Sequence, residues 1–262
     1  VAGLVLAGLL VIATGISALL VHPDTPHMGL CCALMGMAGL SIRGGTIYML
    51  IRHAELRELG GGETYARDFR MMAIEAILWG IVLVVAERFA RALHDRFFAN
   101  VRWLTRTGVD LAKGPPKSET LGTAIWVAKR VGTLNLPRVA AMVLAFVVNA
   151  VLGALVLFLV LQAQSKGQAL FGCFAAFFVS TLLVYYAFPR VPAAALFLSV
   201  PAAAAAGYWL TAGYAIVYPG HAGLYFGNAL PIDYMSAGVP GAIFGYYLAL
   251  HWDLHSRVAE NA

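Results

Sequence analysis

Two short clusters in this sequence carry the residue types of a metal site. His22-Pro23-Asp24-Thr25-Pro26-His27 packs two imidazoles and a carboxylate into one turn. His251-Trp252-Asp253-Leu254-His255 spaces two histidines by four residues, which puts both rings on one face of a helix. A transition metal takes three or four such ligands, and neither cluster brings a third strong ligand set or a general base with it. His22, Asp24, His27, His251, Asp253 and His255 therefore read first as groups capping helix ends at a membrane surface, with a metal site as the alternative. The remaining histidines, His53, His94 and His221, also fall outside the apolar runs. A haem between membrane helices wants axial histidines inside those runs, so no haem is expected, nor any other cofactor. Cys31, Cys32 and Cys173 lie in apolar surroundings without a paired spacing and read as small packing groups.

Four more polar side chains interrupt apolar sequence: Arg43, Glu75, Asn149 and Asp233. An ionised group at a helix centre costs roughly 2.5–3.5 kcal/mol on insertion scales, so each needs a partner or a role. Arg43 and Glu75 fall in consecutive apolar runs, and a hairpin of the two would bring them to similar depth. A structural ion pair is the expectation; a gated charge or proton relay is the alternative.

The elements that must position these groups are membrane helices. Hydrophobic residues make up 61% of the 262 and charged residues 12%, about half the charged share of a soluble domain. Soluble enzymes, disordered tails and disulfide scaffolds are excluded by that balance. Runs of about 20 apolar residues read as spans at Leu4–Val21, Met28–Ile51, Val139–Ala163, Ala169–Phe188, Ala193–Tyr218 and Met235–Leu250, with a short seventh at Met71–Ala86. Residues 1–20 lack a basic n-region and a cleavage site and read as a span, not a signal peptide. The expected fold is an all-α polytopic transmembrane bundle. Seven spans are favoured, six plus a dipping segment being the other solution.

Residues 87–138 separate two membrane parts, 1–86 and 139–262. This stretch holds ten of the 18 basic residues and carries a net charge of +6. By the positive-inside rule it faces the cytoplasm, which sets the C-terminus inside and, with seven spans, the N-terminus outside. Within it, Phe89, Leu93, Phe97, Val101 and Leu104 recur at helical spacing opposite charged positions, the pattern of a basic amphipathic helix lying on the membrane. Arg88, Arg91, Arg96, Arg102 and Arg106 would hold anionic headgroups or dock a partner subunit. Nucleic acid is not expected, because no reading module is present.

The C-terminal third is rich in small residues and breaks, notably Pro201, Pro219-Gly220, Pro231 and Pro240-Gly241. Arg190-Val191-Pro192, Gly207-Tyr208-Trp209-Leu210-Thr211, Pro231-Ile232-Asp233 and Pro240-Gly241-Ala242-Ile243 together resemble a stretch of the A subunit of copper membrane monooxygenases. The spacings drift, that family continues with further helices, and no residue role is carried over. The expected role is a non-catalytic integral subunit or scaffold of a larger inner-membrane complex. A small transporter or channel using Arg43, Glu75, Asn149 and Asp233 is the first alternative, and a subunit of a metal-dependent membrane oxidoreductase the second.

Overall fold

Where water is excluded, backbone N–H and C=O groups must pair within their own segment, and a helix achieves this. The computed structural model describes residues 2–20, 27–43, 61–98, 138–162, 165–188, 191–217 and 225–260, and among them there is helix and turn but no strand. The helices are α1 (Ala2–Leu20), α2 (His27–Arg43), α3 (Gly61–Phe98), α4 (Arg138–Val160), α5 (Lys166–Ala187), α6 (Ala193–Phe197), α7 (Ser199–Val217) and α8 (Val239–Glu260). A 3₁₀ turn at Tyr225–Asn228, a helical turn at Pro231–Asp233 and a π-helical turn at Tyr234–Gly238 lead into α8. Four stretches are long and apolar enough to cross a membrane: Ala66–Leu93, Val139–Val160, Lys166–Ala187 and Ala193–Val217. Leu4–Leu20 and His27–Gly39 are shorter apolar helices.

Prolines explain two of the breaks. Pro201 offers no N–H to the carbonyl of Phe197 and its ring crowds that oxygen, so α6 stops at Phe197 and the helix restarts at Ser199. Pro240 does the same to Ser236. The chain answers by widening: the Val239 N–H reaches back five residues to the Tyr234 carbonyl, which is the π turn.

Two sequence expectations change here. The run expected to be the weakest, Met71–Ala86, is the middle of the 38-residue α3. Nothing at Glu87 stops that helix, so residues 87–98 prolong it and do not form a separate interfacial helix. Phe89 and Leu93, assigned above to a lipid-facing stripe, close over Gly15 of α1, though Phe89 stays 41% exposed. A Cβ at Gly15 would stand 2.7 Å from the Phe89 ring and 2.9 Å from Leu93. Of the second run, Met28–Ile51, the described part is α2 as far as Arg43, and its remainder lies outside the described residues. Residues 44–60 and 99–137, with Arg102 and Arg106, lie outside the described residues.

Side-chain contacts give the direction of each rod. Gly29 abuts the backbone of Ala18, so α1 and α2 form a hairpin. Phe69 stacks on Tyr208 while Gly80 meets Pro201, so α3 and α7 are antiparallel. Gly153 faces Phe177 and Gly172 faces Leu157 and Val160, making α4 and α5 antiparallel as well. Helices α5 and α8 run parallel: Gly241 and Gly245 lie against the carbonyls of Phe174 and Phe178. One apolar core draws on all eight helices, from Leu10 to Ile243. The bundle thus has two ends, one holding Ser41, Lys166 and Asp233, the other His27, Glu87 and Arg91.

Candidate functional site

At the first end the chain turns inward after α7 and places a carboxylate in the core. Pro231 starts a helical turn, and Asp233, two residues on, folds its side chain back to accept a hydrogen bond from the Leu230 N–H at 2.9 Å. Lys166, the first residue of α5, sets its Nζ 2.6 Å from Oδ1 and 2.8 Å from Oδ2. Ser41, near the end of α2, donates its hydroxyl to Oδ1 at 2.6 Å. Each carboxylate oxygen therefore has two donors. Asp233 is 1% exposed and the Lys166 side chain 11%.

The lysine's direction is informative. A cation at a helix N-terminus meets the positive end of the dipole, and a lysine near a membrane boundary normally extends its head to water. Lys166 turns inward instead. In a low-dielectric interior the attraction of one carboxylate is strong enough to reverse both preferences.

Neutral hydrogen bonds hold the inward turn around this pair. Tyr208 Oη donates to the Ala229 carbonyl at 2.6 Å and Tyr234 Oη to Phe226 at 3.2 Å. Asn228 Nδ2 donates to Leu161 at 3.3 Å, and Gln168 Nε2 to Val160 at 2.9 Å. In the π turn, the buried Ser236 hydroxyl has no hydrogen-bond partner among the described residues.

A second polar node joins the middle of the bundle. Asn149 Nδ2 donates to Ser199 Oγ at 2.8 Å, the Leu196 carbonyl at 3.0 Å and Thr181 Oγ1 at 3.1 Å. It ties α4 to α5 and to the α6–α7 break, where helix interruption leaves the carbonyl accessible.

At the opposite end, Glu87 is buried and pairs with Arg91 one turn on. His27 Nδ1 lies 3.7 Å from the same carboxylate, and Arg91 Nη2 lies 3.3 Å from His27 Nε2. The His27 ring packs edge-on against Phe197, with Tyr247 of α8 at 6.4 Å.

The expected site residues are thus dispersed. His22, Asp24 and the side chains of Arg43 and His255 lie outside the described residues. His251 is exposed on α8, one turn beyond Tyr247, and Asp253 stands 3.5 Å from Tyr185 Oη. No three His, Cys, Asp or Glu side chains converge among the described residues. Arg88 and Arg96 are exposed on the α3 extension, while Arg91 is engaged by Glu87. Glu75 faces outward and accepts a hydrogen bond from Trp79 Nε1 at 3.3 Å. Sequence reasoning missed Lys166, Ser41 and Glu87 as partners. A lysine opening a long apolar helix was the one available signal. No family model, no curated protein and no solved structure matches this chain.

Proposed function

We propose that this chain is a non-catalytic integral subunit of a larger membrane assembly, crossing a bacterial-type inner membrane seven times with its C-terminus in the cytoplasm. The observation that carries the reading is the state of the buried polar groups. Asp233 and Asn149, two of the four path residues a transporter would use, are saturated by protein donors and acceptors that hold helices together. Of the other two, Glu75 faces outward and the Arg43 side chain lies outside the described residues. The alternation of helix direction supports seven passes, with α1, α2 and α8 completing the four longer spans. The +6 charge of residues 87–138 supports a cytoplasmic position for that stretch, where it meets anionic headgroups or partner subunits.

Purification from native membranes in mild detergent, followed by intact-complex mass spectrometry, tests this. Stoichiometric partner chains are expected; a chain that emerges alone overturns the reading.

One observation favours transport as a second reading. Ser236, buried and unpartnered, sits three residues after Asp233 in a π turn, a distortion frequent at functional sites. Proton or cation flux into liposomes that vanishes in a folded Asp233→Asn variant would establish that reading in place of the first.

A further inference from the structure

Among the described residues, Glu75 is an ionisable group within an apolar run that the internal packing does not enclose. It lies five residues beyond Arg70 on α3, about 7.5 Å deeper at 1.5 Å per residue. A glutamate side chain is too short to span that distance to water. Its neighbours on the helix surface, Met71, Ile74 and Leu78, are all exposed and apolar. The Trp79 indole supplies one hydrogen bond, which leaves acceptor capacity on both oxygens. Arg70, five residues shallower, lies over the Trp209 ring and marks where the boundary begins.

A carboxylate on a lipid-facing surface needs a cation. Among the described residues Lys166 is held by Asp233, and the Arg43 side chain lies outside them. A second copy docking through the same face would bring its own Glu75 to the same depth, a contact between like charges. We propose that Glu75 anchors an intramembrane docking face on α3 whose occupant is a transmembrane helix of another subunit, carrying an arginine or lysine at matching depth. The inference rests on the subunit reading above and specifies the chemistry of the partner. The occupant's charged group would pair with Glu75 while its apolar side chains cover Met71, Ile74 and Leu78.

Two measurements on the full-length protein test it. The first is labelling of Glu75 by dicyclohexylcarbodiimide, which reacts with carboxyl groups in apolar surroundings, read by mass spectrometry of the peptide. Glu75 should be protected in the native assembly and labelled once the chain is stripped of partners; equal labelling overturns the proposal. The second is co-purification of partners with Glu75→Gln and Glu75→Lys. Recovery should fall by about tenfold or more for Glu75→Lys, as expected when a buried interfacial charge pair is broken, while the isolated variants melt like the parent. Unchanged recovery of partners overturns the docking face and leaves the subunit reading intact; absence of partners from the parent protein itself overturns both. If Glu75→Gln lowers the melting temperature of the isolated chain and Arg43→Met recovers it, the occupant is this chain's own Arg43 and the proposal falls.

Discussion

Charge, not hydrogen-bond number, decides which buried polar residue matters most to folding. Asp233→Asn keeps the shape but leaves Lys166 without a counter-charge, and breaking a buried pair costs about 3–5 kcal/mol. Asn149→Leu removes as many contacts, yet neutral hydrogen bonds between membrane helices average about 0.6 kcal/mol and reach at most about 1.7. Unfolding measured in detergent should therefore rank Asp233→Asn well below Asn149→Leu in stability. The double change Asp233→Leu with Lys166→Met should recover most of the loss. If it is no better than the two single changes combined, the ion pair does not stabilise the fold. Asp233 and Asn149 were legible in the sequence as polar interruptions of apolar runs. Their partners were not, because Ser41 and Lys166 lie 192 and 67 residues from Asp233 and nothing local marks them.

At the level of helices, the sequence showed where apolar runs lie but misjudged where they stop. Met71–Ala86 looked short because charges flank it; those charges ride on a helix that continues past them, and Glu87 is buried by pairing with Arg91. Periodicity in residues 89–104 could not say that Gly15 would meet Phe89 and Leu93, and Val101 and Leu104 lie outside the described residues. Gly241, read at first as part of an interruption, forms with Gly245 one turn on the contact by which α8 approaches α5. A Cβ at either position would come within 2.4 Å of a carbonyl oxygen of Phe174 or Phe178. Gly241→Ala and Gly245→Ala should each destabilise by roughly 1–3 kcal/mol, the usual cost of overpacking. Gly8 and Gly213, also in helices, face open space. Alanine there should be neutral or stabilising by up to about 1 kcal/mol. Melting curves that treat all four glycines alike would show that the α5–α8 approach is looser than described.

For the whole molecule, composition alone established a membrane-embedded helical protein, whereas the side of each end rests on charge. A cysteine at Ser118, inside the basic stretch, should react with an impermeant maleimide only after the cytoplasmic side is opened. Labelling in intact cells would invert the proposed orientation throughout. A cysteine replacing Leu4 at the start of α1 should give the opposite result, because seven passes put that end outside. If both positions label from one side, an even number of crossings separates them and one described rod does not span.

The Lys166–Asp233 pair also imposes an order on synthesis. When α5 is inserted, the acceptor for its first residue has not yet been translated, and Lys166 must wait facing water, as lysines at membrane boundaries do. Only when the inward turn at Asp233 arrives does the side chain swing in and the first end of the bundle close. A chain truncated after Val217 should therefore present a Lys166 amine that impermeant acylating reagents modify, while the chain that includes Asp233 and α8 resists them. The turn that carries Asp233 thus closes this end of the bundle, and the Lys166 amine reports whether that turn has docked.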